Sequence, residues 1–276
     1  MNNRIIFLDI DGTLTEPGGN VPPASAIRAI KGAQEKGNYV FLCTGRNYDM
    51  LSPLLKYGFD GVIASSGGYI RHQEEEIYNC PIAETQKNEA MELLKKNGIF
   101  RTIECMDGSY TDKEFREFLE KNASEGSNSE MLRWRRQIEK SLHIRPMEDY
   151  AGQPAYKIVV ICRSKEQLKE PMELLGGEFS FCVQEPDRFG FINGEILSRE
   201  YDKGRAVIRV CRHLGISQEQ TVAFGDSMND KEMMEAAAVS ICMENGSAAL
   251  KKLADDICPA VTDDGLYLAF KKHGLM

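Results

Sequence analysis

Short apolar runs alternate with stretches of helical period in the first part of the chain, and this constrains the fold more than any other feature. Residues 4–10, "RIIFLDI", read as a buried parallel strand. "PPASAIRAIKGAQEKG" reads as a helix: Pro23 suits its start, Ile27 and Ile30 share a face, and Gly37 suits its stop. "NYVFLCTG" is a second strand, "NYDMLSPLLKYG" a second helix and "DGVIASSGG" a third strand. This succession is that of an open parallel sheet with helices on its faces.

The alternation then changes. "GYIRHQEEEIYNC" reads as a hairpin with an acidic tip at Glu74 to Glu76, and "AETQKNEAMELLKKNG" as a helix. "IFRTIECMDG", "AYKIVVIC", "EFSFCVQE" and "RFGFING" read as strands, and "DKEFREFLEKN" and "SKEQLKEPMELLGG" as helices, the last interrupted near Pro171. "NASEGSNSE" is a loop by composition. From Lys203 the first pattern returns: "DKGRAVIRVCRHLG" a helix, "QTVAFGD" a strand, "NDKEMMEAAA" a helix, "VSICM" a strand and "GSAALKKLAD" a helix. The predicted fold class is therefore α/β. Residues 1–81 and 197–276 form a doubly wound parallel-sheet core, and residues 82–196 form an inserted α+β unit.

Three strands of the core end in polar groups: Asp9 on the first, Thr44 on the second and Asp226 on the fourth. Any one of these could be a helix cap or a turn residue. Together they favour a site, because open parallel sheets bind ligands at the carboxyl ends of their strands. In "GDSMND", Asn229 and Asp230 follow Asp226 at i+3 and i+4, which places them on one face beside it. Asp9, Asp226 and Asp230 would repel one another in a dry site. A hard divalent cation relieves that repulsion, and Mg²⁺ takes few carboxylates, keeps waters and accepts phosphate oxygens. The acids thus point to Mg²⁺ and, through it, to a phosphorylated ligand.

Composition narrows the classes further. The chain has 276 residues, 42% hydrophobic and 28% charged, with a net charge of −8. That balance suits a globular protein, and its sign argues against a nucleic-acid partner. The opening "MNNRIIFLDIDG" does not read as a signal peptide, and no apolar run approaches the length of a membrane span. The eight cysteines form no Cys-x-x-Cys pair and mostly sit in apolar runs, which predicts reduced, buried thiols and a cytoplasmic location.

The stretches "DIDGTL", "TGR", "DKG" and "GDSMND" occur in the order of the four motifs of the haloacid dehalogenase (HAD) superfamily, which this sequence resembles. The tail "SICMENGSAALKKLADDIC…DDGLYLAF" and the placement of the insert resemble its Cof-type, or type-IIB, branch. The resemblance implies a Mg²⁺-dependent phosphatase of small phosphorylated metabolites, sugar phosphates foremost, acting through an aspartyl-phosphate. It implies that Asp9 is the nucleophile and Asp11 the general acid and then base. It implies Mg²⁺ contacts from Asp9, the Asp11 backbone carbonyl and Asp226, with Asp230 close by or acting through water. Thr44 and Lys203 are the implied phosphate holders, Gly12 and Gly45 allow close backbone approach, and Asn229 is a further phosphate or water donor. Arg46 reads either as a ligand residue or as a structural ion pair.

The family's usual Asn-Gly after the third strand is Ser66-Gly67 here, which alters any contact made from that position. The insert is implied to be a cap that excludes water and supplies leaving-group contacts. Within it, "RWRR" (133–136) reads as an anion and ring subsite or as a helix whose Met131, Trp134 and Ile138 form an apolar stripe. In "EPDRFGFINGEI", Glu185, Asp187 and Arg188 are candidates to reach a polyol. Two other functions fit parts of the pattern: a phosphomutase or phosphotransferase, and a non-catalytic metabolite-binding module. Intact Asp9, Asp11, Lys203 and Asp226 argue against the second.

Overall fold

A computed structural model describes residues 3–115, 117, 144–184, 186 and 190–276. "RWRR", "NASEGSNSE", the latter part of "DKEFREFLEKN", and Glu185, Asp187 and Arg188 lie outside the described residues. Along the chain, β1 (Ile5–Leu8) leads to α1 (Ala24–Glu35), β2 (Tyr39–Cys43), a short α2 (Ser52–Leu55) and β3 (Gly61–Ala64). The hairpin β4 (Tyr69–His72) and β5 (Glu75–Asn79) precedes α3 (Glu84–Lys96), β6 (Phe100–Cys105), β7 (Gly108–Thr111) and β8 (Ile144–Pro146). Then come β9 (Ala155–Cys162), α4 (Glu166–Leu175), β10 (Phe179–Val183) and β11 (Ile192–Ser198). The chain ends with α5 (Lys203–Leu214), β12 (Thr221–Gly225), α6 (Lys231–Ala236), β13 (Val239–Met243), α7 (Ala248–Lys251), β14 (Asp256–Cys258) and α8 (Gly265–Lys272).

These elements form two compact units. The first comprises Met1–Arg46, Leu51–Asn79 and Tyr201–Met276, and the second Asn47–Met50 and Cys80–Glu200. The first unit holds one sheet in the order β14-β13-β12-β1-β2-β3-β4-β5. All its pairings are parallel except those of the β4 and β5 hairpin. Every residue of β1 is buried, as a central parallel strand with helices on both faces requires. Ile5, Phe7, Phe41, Cys43 and Ile63 pack with Val207 and Val210 of α5 and Met233 and Met234 of α6. On the other face Phe224 meets Phe270 of α8, ring centroids 5.3 Å apart. Strand order reverses at β1, between β2 and β12, and the crevice beyond their carboxyl ends is where such sheets bind ligands.

The second unit holds a sheet in the order β10-β11-β9-β6-β7-β8. One face carries Ile103, Ile158, Val160, Ile192, Ile196 and Phe179, buried together with Ala90, Met91 and Leu94 of α3 and Leu168 and Leu175 of α4. Three local expectations are corrected. Pro171 lies inside α4 without interrupting it, and its ring is itself buried. It removes a single N–H donor from a ten-residue helix whose apolar stripe is anchored on both sides of it. The strand expected over "RFGFING" begins only at Ile192 and runs to Ser198, because Gly190 at φ +80° turns the chain out of extended conformation. The helix expected over "GSAALKKLAD" is the four-residue α7, capped by Ser247, whose side chain accepts from the Leu250 N–H.

Candidate active site

Asp9 is the residue after β1, and its backbone N–H donates to Phe224 O of β12 at 3.0 Å, so the strand's pairing carries it to the mouth of the sheet. Asp226 follows β12 directly. After it, Ser227 caps a 3₁₀ turn, Met228–Asp230, that runs into α6. Lys203 is the first residue of α5, whose N-cap Asp202 accepts from Arg205 N at 2.7 Å. Strand ends and helix starts distant in sequence thus deliver Asp9, Lys203, Asp226 and Asp230 to one place.

Lys203 Nζ lies 2.7 Å from Asp9 Oδ1 and 2.6 Å from Asp230 Oδ1. Asp230 Oδ2 accepts from the backbone N–H groups of Asp226 (3.0 Å) and Ser227 (3.1 Å). One carboxylate oxygen from each of Asp9, Asp226 and Asp230 lies within 4.8 Å of the other two. Lys203 is 1% exposed, Asp230 0% and Asp9 4%, so the charges have little water to screen them. Burial, reinforced by the Asp230 charge and opposed by Lys203, pushes Asp9 up to about 8. Burial, then the charges of Asp9 and Asp230, push Asp226 up to about 9. Burial pulls Lys203 down, but Asp230 and Asp9 outweigh it and hold the ammonium well above the ordinary lysine range.

Three carboxylates face a single ammonium, so the cluster is short of positive charge. Asp226 Oδ1 is buried with no hydrogen-bond partner. An orphaned carboxylate oxygen beside two other acids is the donor set of a hard cation, and the residues fit one. Asp230 differs from Asp9 and Asp226 in having both oxygens engaged, by Lys203 and by two backbone donors. It fixes the geometry of its neighbours.

Gly12 lies at φ +93°, and a Cβ there would sit 2.4 Å from Asp226 Oδ2. Only glycine accepts both constraints. Gly12→Ala is therefore expected to displace the Asp226 carboxylate and weaken divalent-cation binding by about 10–100-fold. Calorimetric titration measures this, and an unchanged affinity would mean that Asp226 does not ligate the cation.

Asp11 points elsewhere. Its carboxylate receives both arms of the Arg46 guanidinium, Nε to Oδ2 at 2.8 Å and Nη2 to Oδ1 at 2.7 Å, and the Gly18 N–H at 2.6 Å. Arg46 also donates to Asn20 Oδ1 (2.6 Å) and Gly19 O (2.8 Å). Of the two readings of Arg46, the structure shows the ion pair, and it falls on Asp11. The Asp11 side chain is not part of the three-carboxylate cluster.

Thr44 is 1% exposed at the end of β2; its Oγ1 accepts from Arg46 N at 3.1 Å and its carbonyl from Ser66 N at 2.9 Å. Gly45 is buried between Thr44 and Arg46. Asn229 is half-buried, and its side-chain oxygen accepts from Ser227 Oγ at 2.6 Å. Ser65 and Ser66 both adopt positive φ, 49° and 56°. Asparagine tolerates that left-handed region better than serine, which gives the usual Asn at position 66 a backbone reason as well as a contact reason. Sequence reasoning missed Asn245, whose Nδ2 donates to Gly12 O at 2.7 Å and whose Oδ1 accepts from Val261 N at 3.3 Å. Its "ENGS" setting offered only a turn signal.

All eight cysteines are free. No helix of the described residues is long and apolar enough to cross a membrane.

The chain resembles several known proteins along its whole length. The Bacillus subtilis (strain 168) protein YkrA is 25% identical, with 100% of both chains covered. Phosphatase YwpJ of the same organism is 26% identical over 92% of this chain and 94% of its own. The solved structure of the HAD subclass IIB sugar phosphatase BT4131 superposes with a TM-score of 0.78 at 24% identity, covering 99% of this chain and 100% of that one, and shares its fold. The family model for haloacid dehalogenase-like hydrolases matches residues 6–270. A match of that extent leaves only the chain's two ends outside it, and the protein belongs to the haloacid dehalogenase-like hydrolase family.

Proposed function

We propose that the protein is a Mg²⁺-dependent phosphatase of small phosphorylated metabolites, sugar phosphates foremost, that works through an aspartyl-phosphate on Asp9. The observation that carries this reading is the buried cluster of Asp9, Asp226 and Asp230 around Lys203 at the carboxyl ends of β1 and β12. Membership of a hydrolase family and likeness to proteins named phosphatases support it.

In this mechanism an Asp9 carboxylate oxygen attacks phosphorus, the bond to the leaving alcohol breaks, and Asp11 gives that alcohol a proton. Asp11 then takes a proton from water as the water attacks the aspartyl-phosphate, releasing inorganic phosphate and restoring Asp9. Asp11 paired with Arg46 is placed as the proton-accepting carboxylate; to act as the acid it first takes a proton from solvent, outside the Arg46 fork. Lys203 and the Thr44 hydroxyl hold the phosphoryl oxygens, with Gly45 and Asn229 beside them. Asp9, Asp226 and the Asp11 carbonyl would hold Mg²⁺, with Asp230 bracing Asp226 and Lys203. The ion supplies positive charge where the phosphoryl group gathers negative charge. The second unit, from Cys80 to Glu200, acts as the specificity cap. Free thiols fit a reducing compartment, the cytoplasm.

The test is a panel of phosphorylated metabolites assayed for inorganic phosphate with Mg²⁺ and with chelator. Phosphate release from at least one sugar phosphate, lost on chelation, is expected. Transfer of the phosphoryl group to a second sugar without release would replace this reading with a phosphotransferase. No turnover of any ester would reject both.

A further inference from the structure

The hairpin of β4 and β5 closes tightly after His72, and its register sets His72 directly opposite Glu75. Cross-strand partners point to the same face of a sheet, so these two side chains leave the hairpin together. Ile70, two residues before His72 and on the same face, is buried with Val207 and Val210 of α5. The last turn of α5 brings His213 to that face. His72 Nδ1 and His213 Nε2 lie 3.1 Å apart, and Glu75 Oε2 is 3.8 Å from the same His213 nitrogen. The rings of Tyr39 and Phe41 pack against His72, with centroids at 5.9 and 5.8 Å.

A hydrogen bond between the two imidazoles accounts for only part of this arrangement. Whichever tautomer His72 takes, its Nε2 is buried without a hydrogen-bond partner. A buried polar atom left in that state is costly, and an apolar side chain there would carry no such cost. Burial, then the neighbouring His213, pull His72 below the ordinary histidine range and keep its imidazole neutral at neutral pH. Neutral imidazole is the form that ligates metals. Two nitrogens bound to one tetrahedral Zn²⁺ stand roughly 3.3–3.4 Å apart, so the pair already holds close to that spacing. The Glu75 side chain is 68% exposed, and a small turn brings its carboxylate to the third position, leaving the fourth to water. Asp60, the other carboxylate whose charge reaches His72, is committed elsewhere: its Oδ2 accepts from Gln34 Nε2 at 2.9 Å and Val40 N at 2.7 Å.

We propose that His72, His213 and Glu75 form a site for a Zn²⁺-like transition-metal ion, which pins the hairpin to the last turn of α5. Imidazole nitrogens select such ions over Mg²⁺, which prefers oxygen. The site is separate from the acidic cluster. Lys203 begins α5, and His213 lies ten residues (213 − 203), roughly 15 Å, further along it. The two histidines are 141 positions apart in the chain, so no ligand spacing announces them. The proposal is independent of the phosphatase reading.

The experiment titrates Zn²⁺ into the native chain, His213→Gln and Glu75→Gln by calorimetry, with Mg²⁺ in excess to hold the acidic cluster. The native chain is expected to bind one equivalent of Zn²⁺ and to rise in Tm with it. Affinity is expected to fall about 100-fold in His213→Gln and about tenfold in Glu75→Gln. A second measurement needs no variant: Zn²⁺ is expected to shift the imidazole NMR signals of His72 and His213 and to leave those of His273 in place. Equal affinity in all three chains, no Zn²⁺ binding by the native chain, or unmoved His72 and His213 signals would each overturn the proposal.

Discussion

Asp9→Asn is expected to lower kcat by at least about 10⁴-fold, the scale of losing a covalent nucleophile. An amide nitrogen or oxygen in place of the carboxylate cannot form and release an aspartyl-phosphate. The variant is also expected to fold as well as the native chain, for an electrostatic reason. Asp9, Asp226 and Asp230 oppose one ammonium, and burial has already raised Asp9 to about 8. Because the Asp9 carboxyl already holds its proton at neutral pH without a cation, an amide in its place changes little charge and leaves Lys203 paired with Asp230 at 2.6 Å. In chelator, the Tm of Asp9→Asn should equal or exceed the native value. Substantial remaining Mg²⁺-dependent turnover would mean that another group attacks phosphorus. A folded variant with no turnover separates the chemical role of Asp9 from any role in holding the sheet.

The second large effect is on stability. In the unfolded chain the carboxyls of Asp9 and Asp226 titrate near their ordinary value of about 3.9. In the folded, cation-free protein they are raised to about 8 and about 9. Between those limits the folded state binds more protons than the unfolded state, so stability falls as pH rises. This contribution is fully present below the unfolded value and lost as pH climbs through 8 to 9. Divalent cations reverse the balance, since they bind the deprotonated carboxylates and displace the protons. The gap in Tm between Mg²⁺ and chelator should therefore widen from pH 6 to pH 9. A free concentration 100 times Kd corresponds to about 2.7 kcal/mol of stabilisation. Thermal scans at fixed ionic strength measure it, and a gap that is constant or narrows with pH would place the cation away from these carboxylates.

Much of this was legible in the sequence. The first unit's strands and the positions of Asp9, Thr44 and Asp226 followed from period and punctuation, because a central parallel strand must be apolar until it reaches the sheet's edge; Lys203 came only from the resemblance of "DKG" to a family motif. What stayed hidden depended on partners far apart in the chain. The Asp11–Arg46 ion pair needs two loops to meet, and neither residue type announces which acid an arginine will choose. The two oxygens of Asp230 divide their labour between Lys203 and a turn's backbone, which spacing alone could not apportion. In the second unit, the polar residues of β6, β9 and β11 carried no signal of their own in the sequence. Only the pairing register puts Glu104, Lys157 and Glu195 side by side, and a strand start misplaced at "RFGFING" had obscured Glu195's place in it.

The second unit leaves the first after Asn79 and returns before Tyr201, while the proposed nucleophile, phosphate holders and cation ligands all belong to the flanking segments. Heredity can therefore rewrite the inserted segment without editing the residues that do the chemistry. On the proposed reading, a change of substrate would be written into the insert and leave "DIDGTL" and "GDSMND" as they stand.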